Sequence, residues 1–187
     1  MINKGHINEA IFHFQEAVRL NPEFKLAQDN LQRALAIQQS QMDMELEKNR
    51  AALENNPDDP QLNYELGNLY LGKGELNKAI HQFQKALALQ PNFPEALNNL
   101  AMAHTFGRQY DQALEVFQKL IALQPDNPAN YYNVAALYAL LKNVTESLAW
   151  LNKAVARGYD NWDLIKTDKD LENIRDSQGY RELVKGR

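Results

Sequence analysis

The stretch PQLNYELGNLYLGKGELNKAIHQFQKALALQP, residues 60–91, decides the fold of this chain. Its apolar residues recur at helical spacing on both sides of a central break, Gly72-Lys73-Gly74. Pro91 ends the stretch, because proline lacks a backbone donor and disfavours helix in the residue before it. The stretch therefore predicts two helices, within Leu62–Leu71 and Glu75–Leu89, joined by a tight turn.

The same pattern repeats at a step of 34 residues, marked by Pro60, Pro94 and Pro128. Further columns at this step hold Leu66, Leu100 and Val134; Gly67, Ala101 and Ala135; Tyr70, His104 and Tyr138; Ala79, Ala113 and Ser147; and Phe83, Phe117 and Leu151. A helix pair of this length cannot bury its own apolar face, so successive pairs must stack. The sequence predicts three stacked pairs within residues 60–157. The residues predicted to be buried are Leu66, Tyr70, Ala79, Phe83, Leu100, Ala113, Phe117 and Val134.

These columns resemble the tetratricopeptide repeat (TPR) family. The residues that carry the resemblance are Leu66-Gly67, Tyr70, Gly74, Ala79, Phe83, Ala86 and Pro91. The units that begin at Pro94 and Pro128 match the pattern less fully. The resemblance implies an all-α superhelix of helix pairs, an α-solenoid, in which the first helix of each pair lines a concave groove. It also implies a non-catalytic scaffold that binds a protein or peptide in that groove. Because the chain starts in mid-repeat, the sequence favours a fragment of a larger, bacterial-type protein.

One stripe on the first helices carries the predicted binding groove. At about 100° per residue, this stripe lies opposite the packed columns, and the resemblance implies that it faces the groove. Its tyrosine, asparagine and methionine side chains are adaptable contact groups for a peptide. The predicted groove residues are Gln61, Tyr64, Asn68, Leu71, Asn98, Asn99, Met102, Thr105, Tyr132, Asn133 and Ala136.

The region before Pro60 follows the repeat only in part. Residues 1–22 are interpreted as the second helix of an incomplete repeat. Residues 23–57 have the length of a unit, but Gln32, Glu45 and Asn49 stand where apolar or small residues would pack. No glycine or proline interrupts the run from Phe24 to Asn56. We predict one long linker or capping helix there, with a degenerate hairpin as the alternative.

An apolar stripe near the start predicts self-association. Ile7, Ala10, Ile11, Phe14 and Val18 recur at helical spacing. Part of the stripe should pack on the next helix, and the absent first helix of the repeat would leave the rest uncovered. A contiguous apolar surface favours association, so we predict a homodimer through the N-terminal region.

The repeat pattern ends near residue 157, and residues 158–187 form short amphipathic pieces that predict a helical cap. Within the cap, Asp168, Asp170 and Glu172 are interpreted as a solvated helix start. They do not form a calcium loop, because Asn173 and Gly179 occupy the positions of its glycine and its last glutamate.

No pattern of residues predicts catalysis, a metal or a cofactor. The chain has no cysteine, its four histidines form no HExxH pair, and it has neither a GxSxG elbow nor a phosphate loop. A net charge of −4 disfavours nucleic acid, and no apolar run has the length of about 20 residues that crosses a bilayer. We expect a protein or peptide partner, no membrane contact by this segment, and a cytoplasmic location by a small margin. The competing interpretations are a self-association module and a substrate-recruiting arm of a larger enzyme or membrane protein.

Overall fold

A computed structural model describes the backbone of residues 4–187 and the side chains of residues 6–187. Every regular element in that range is a helix, as predicted. In chain order they are α1 (Lys4–Leu20), α2 (Lys25–Asn55), α3 (Pro60–Gly72), α4 (Leu76–Leu89), α5 (Pro94–Phe106), α6 (Tyr110–Leu123), α7 (Pro128–Leu140), α8 (Val144–Ala156), α9 (Trp162–Thr167), a 3₁₀ helix (Lys169–Ile174) and α10 (Gln178–Val184). The chain divides into two compact units, of which one ends at Pro57 and the other spans Asp58–Arg187.

In the first unit, α1 packs along α2. Ile7 and Ile11 are buried against Ala34, with Phe14 and Leu31 partly buried beside them. Part of the stripe therefore packs on the next helix of the same chain, as expected, while Ala10, Phe14 and Val18 stay half-buried. Residues 1–3 of the predicted N-terminal segment lie outside the described residues.

The segment after Phe24 is a single helix, α2, which continues without a turn through Ser40. Gln32 is exposed, while Glu45 and Asn49 are half-buried. A hairpin would have placed these polar side chains against a partner helix, at a cost in desolvation that one continuous helix avoids.

The second unit contains three helix pairs, α3/α4, α5/α6 and α7/α8, each packed on the next. The first helix of every pair begins at a proline of the 34-residue step, where the absent N–H is not needed. Asp59 and Asn127 cap two of these helices by accepting hydrogen bonds from backbone N–H groups of the first turn. All eight residues predicted to be buried are buried.

The turns within the pairs share one backbone conformation. Gly74 has a positive φ of 73°, and the residues 34 and 68 positions later, Arg108 and Lys142, have φ values of 56° and 58°. Glycine adopts this left-handed conformation at little steric cost, whereas other residues do not. The second and third turns therefore keep the geometry of the first with less suitable residues.

Two departures from the repeat pattern are accommodated by hydrogen bonds. Ser147 stands in the column of Ala79 and Ala113 and is fully buried, and its hydroxyl donates to the Ala135 carbonyl at 2.8 Å. His104 is buried in the tyrosine column, with its Nδ1 2.6 Å from Gln109 Oε1. His104 is thus a packed side chain, like Tyr70 in the same column.

The C-terminal segment packs on α7 and α8. Ile165, Leu171 and Ile174 are fully buried, and the Tyr180 hydroxyl donates to the Ile165 carbonyl at 2.7 Å. The 3₁₀ helix lies along α7, where Asn173 Nδ2 donates to the Ala139 carbonyl at 3.0 Å. The cap therefore covers part of the surface that α7 was expected to present to the groove.

Candidate functional site

A row of asparagine amides connects α3 and α5. Asn99 Nδ2 donates to Asn68 Oδ1 at 2.7 Å, and Asn98 Nδ2 donates to Asn99 Oδ1 at 3.1 Å. The three side chains are half-buried. Among the described residues, the Asn68 amide nitrogen and the Asn98 amide oxygen make no other hydrogen bond. The row thus keeps one donor and one acceptor available.

An open depression of about 320 Å³ lies beside this row. We call it the asparagine trough. Its lining comes mainly from α5, α7 and the turn before α7, with one residue each from α3 and α6, and is mostly polar. The lining residues are Tyr64, Pro94, Glu95, Asn98, Asn99, Leu120, Gln124, Asn127, Ala129, Asn130 and Asn133. The Asn133 amide makes no hydrogen bond within residues 6–187, so it adds both a donor and an acceptor to the trough.

A second depression, of about 210 Å³, lies between α5, α7 and the C-terminal segment. We call it the cap pocket. It differs from the trough in combining apolar walls with two carboxylates. Its lining residues are Met102, Thr105, Phe106, Phe117, Tyr132, Asn133, Ala136, Leu137, Leu140, Leu164, Asp168 and Asp170. Asn133 lines both depressions.

Tyr132 links α7 to the cap. Its hydroxyl donates to Asp168 Oδ2 at 2.6 Å, and its ring stacks on Tyr159 with centroids 4.4 Å apart. Burial and the Asp168 carboxylate raise the pKa of Tyr132 far above its usual range, so the hydroxyl stays protonated and donates.

Two predicted groove residues need correction in consequence. Tyr132 is only 4% exposed and Ala136 is 8% exposed. Both touch the cap pocket, but neither presents a free face to a ligand, because the cap covers the stripe on α7 that carries them.

The two aspartates of the cap stand at a helix start, as the sequence predicted, but they are less solvated than expected. Asp168 and Asp170 are half-buried. Asp168 caps the 3₁₀ helix by accepting from the Asp170 backbone N–H at 3.0 Å. Burial and the neighbouring Asp168 charge raise the pKa of the Asp170 carboxyl. Within residues 6–187, neither carboxylate pairs with a cation, and no three histidine, cysteine or acidic side chains are placed to hold a metal.

The remaining predicted residues divide between the two depressions or lie outside them. Gln61, Asn68 and Leu71 line neither, and Gln61 Nε2 donates to Glu65 Oε1 at 3.0 Å. Thr105 lines the cap pocket, but its hydroxyl donates to the Ala101 carbonyl at 2.9 Å. The side chain therefore has no hydrogen left to donate to a ligand.

The predicted groove set omits seven lining residues of the cap pocket, of which Phe117, Leu137 and Leu140 belong to the packed helix pairs. The remaining four are Phe106, Leu164, Asp168 and Asp170. Phe106 is the last residue of α5 and lies outside the predicted groove stripe, which ends at Thr105. The other three belong to the cap, which has no place in the 34-residue columns. The only available signal was the pair of aspartates, and the periodic pattern gave no reason to place it beside α7.

Three family models describe parts of this chain as tetratricopeptide repeats. They match residues 64–128, 107–167 and 2–24. A comparison with curated proteins finds no match.

Several solved structures share the fold. MamA 41-end from Desulfovibrio magneticus RS-1 is 21% identical, with a TM-score of 0.66, covering 86% of this chain and 88% of its own. YrrB is 21% identical, with a TM-score of 0.61, covering 84% and 80%. TTC0263, a thermophilic TPR protein of Thermus thermophilus, is 22% identical, with a TM-score of 0.57, covering 86% and 87%. At these identities the likeness concerns the fold.

No helix among the described residues is both long and apolar enough to cross a membrane.

The family models match successive parts of the chain as repeats, in agreement with the recurring columns and the stacked helix pairs. This chain belongs to the tetratricopeptide repeat family.

Proposed function

We propose that this chain is a non-catalytic scaffold that binds a polypeptide segment along the face formed by α3, α5 and α7. In this proposal residues 60–157 are the binding array and residues 158–187 its cap. Residues 1–22 are an incomplete repeat, and residues 23–57 a linker helix. The predicted groove residues that reach the asparagine trough, Tyr64, Asn98, Asn99 and Asn133, are its proposed contacts.

The observation that carries the proposal is the set of asparagine amides with unused hydrogen-bonding groups. The backbone of an extended peptide alternates N–H donors with C=O acceptors, and an amide side chain offers one group of each kind. Asn133 has both groups unused, while Asn68 and Asn98 keep one each. Such a row can hold a backbone with little dependence on its side chains.

The shape of the site favours a polypeptide over a small metabolite. Small-molecule sites enclose most of their ligand, whereas the trough is open and adjoins the cap pocket through Asn133. Repeat arrays offer extended binding surfaces of this kind. The solved structure of YrrB is described as that of a TPR protein with an unusual peptide-binding site, so at least one protein of this fold has such a site.

The test is selection of random dodecapeptides by the full chain, followed by affinity measurements on selected peptides. Asn98→Ala with Asn133→Ala should weaken their binding about tenfold, since both amides keep unused groups and each lost backbone contact contributes about 0.5–1.5 kcal/mol. Asn77→Ala is the matched control, because Asn77 is exposed on α4 and lines neither depression. Unchanged affinity in the double variant, or an equal loss in the control, would count against the site. Selection of no peptide at all would count against the function.

Self-association remains a second candidate, on different residues from those first considered. Leu26, Ile37 and Met44 are exposed and lie within about 20° of one another around α2. We propose that this row, rather than Ile7 and Ile11, joins two copies in a homodimer. Light scattering at micromolar concentration should give twice the chain mass. Ile37→Glu should then return the monomer mass. A monomer mass for the unaltered chain would reject the candidate.

A further inference from the structure

The cap pocket has a chemistry that the asparagine trough lacks. Part of its lining is apolar and includes Met102, Phe106 and Leu164, of which Phe106 and Leu164 are exposed. The lining also includes the acidic residues Asp168 and Asp170. Lysine and arginine side chains combine the same two properties, because their methylene stems cover apolar surface while their heads remain charged.

The two carboxylates are constrained but not neutralised. One oxygen of Asp168 accepts from the Tyr132 hydroxyl and the other from the Asp170 N–H. The Asp170 carboxylate makes neither a hydrogen bond nor an ion pair within residues 6–187. Arg175, the nearby arginine, donates instead to the Asp168 backbone carbonyl at 2.6 Å. Two half-buried negative charges side by side are unfavourable until a cation joins them.

We propose that the cap pocket accepts a lysine or arginine side chain of the bound polypeptide. The stem lies against Met102, Phe106 and Leu164, and the charged head lies beside Asp168 and Asp170. This inference rests on the proposed function, and it adds the chemical class of one ligand residue. The chain's net charge of −4 agrees with a basic partner.

A bare metal ion fits this pocket less well than a cationic side chain. The described residues offer no set of three histidine, cysteine or acidic ligands there, and divalent cations bound by oxygen need a larger ligand set. The apolar wall would also be unused by a hydrated ion. A lysine or arginine contacts the apolar residues through its stem and the aspartates through its charged head.

The experiment compares peptide selections by three forms of the full chain. Random dodecapeptides are selected by the unaltered protein, by Asp170→Asn and by Glu172→Gln. Asparagine keeps the shape of Asp170 and removes its charge. Glu172 is an exposed acid on the same 3₁₀ helix that does not line the pocket, so its variant controls for net charge.

We expect peptides selected by the unaltered protein and by Glu172→Gln to be enriched in lysine or arginine at one position. Peptides selected by Asp170→Asn should show less of that enrichment, because only the Asp168 charge remains. For one selected peptide, replacing its cation by norleucine should weaken binding to the unaltered protein about threefold, in the range of an ion pair. The same replacement should weaken binding to Asp170→Asn less. This peptide-side measurement on the unaltered protein holds even if Asp170→Asn does not fold.

The outcomes separate the two proposals. Peptides selected without any enrichment in lysine or arginine, or with enrichment that is undiminished in a folded Asp170→Asn variant, would overturn the cap-pocket assignment and leave the scaffold function standing. A norleucine peptide that binds the unaltered protein as tightly as its parent would do the same. Failure to select peptides at all would overturn both.

Discussion

Phe83 lies directly over Gly67 between the two helices of the first pair. A Cβ atom added to Gly67 would stand 2.5 Å from Phe83 Cε1 and 2.6 Å from Cδ1. The ring has no exposed surface, so it has no free space to move into. In the next two pairs, the same columns hold Ala101 with Phe117 and Ala135 with Leu151. The first pair therefore depends on a glycine where the others do not.

Gly67→Ala should lower the free energy of unfolding by about 1–3 kcal/mol, the usual cost of overpacking a core. Chemical denaturation of the variant measures this. Phe83→Leu alone should also destabilise, because it leaves space in the core.

The double variant Gly67→Ala with Phe83→Leu should lose less stability than the two single variants together, since leucine removes the ring atoms that the new methyl group meets. Strict additivity in this cycle would show that the contact does not cause the loss.

The positive φ angles of the second and third turns predict stabilising substitutions. Arg108→Gly and Lys142→Gly should each raise the free energy of unfolding by up to about 1 kcal/mol, because relief of left-handed strain exceeds the entropy cost of glycine. Gly74→Ala is the reverse control. It should destabilise through the backbone alone, because nothing lies within 4 Å of its added Cβ. Lower stability of Arg108→Gly and Lys142→Gly, or higher stability of Gly74→Ala, would contradict the shared turn geometry.

The bond between Tyr132 and Asp168 should contribute to the stability of the cap. Tyr132→Phe removes the donor at 2.6 Å from a half-buried carboxylate, and the free energy of unfolding should fall by about 1–3 kcal/mol. Tyr138→Phe is the control, because Tyr138 is half-buried and makes no hydrogen bond through its side chain within residues 6–187. If the two substitutions lower the midpoint of thermal unfolding equally, the hydrogen bond between Tyr132 and Asp168 does not contribute to stability as predicted.

Asp170→Asn should stabilise the protein at neutral pH. Burial and the charge of Asp168, the N-cap of the 3₁₀ helix, raise the pKa of the Asp170 carboxyl, so the folded state disfavours the Asp170 charge. The charge therefore reduces stability above this pKa and has no effect once the carboxyl is protonated. The difference in unfolding midpoint between the variant and the unaltered chain should be positive at pH 7 and vanish near pH 3. A destabilised variant at pH 7 would contradict this sign.

The sequence sufficed for the repeat but not for its end. Phe83 and Phe117 could be placed in the core because their positions recur, and a recurring position implies a recurring environment. Tyr132 shares the groove stripe with Tyr64, so the pattern predicted the same exposure for both. Its partner Asp168 lies 36 residues along the chain in a segment without a period, and no local signal tells which helix that segment will cover.

The N-terminal stripe was expected to pack in part on the next helix, and α2 does cover Ile11. The sequence could not tell which members of the stripe would be covered, because helix propensity does not give the angle at which a long helix packs.

Asn133 lines both the asparagine trough and the cap pocket. The proposed binding face, formed by α3, α5 and α7, is therefore directional. The neighbours of Asn133 on one side are amides suited to a backbone, and on the other side are carboxylates suited to a positive charge. A peptide and its reversed sequence have the same composition and the same charge. When the cation of either peptide occupies the cap pocket, however, the neighbouring residues that reach the asparagine trough differ. In one peptide they follow the cation, and in the reversed peptide the same residues precede it. In the proposed complex, recognition therefore depends on the order of residues in the ligand, and a reversed peptide is a different ligand.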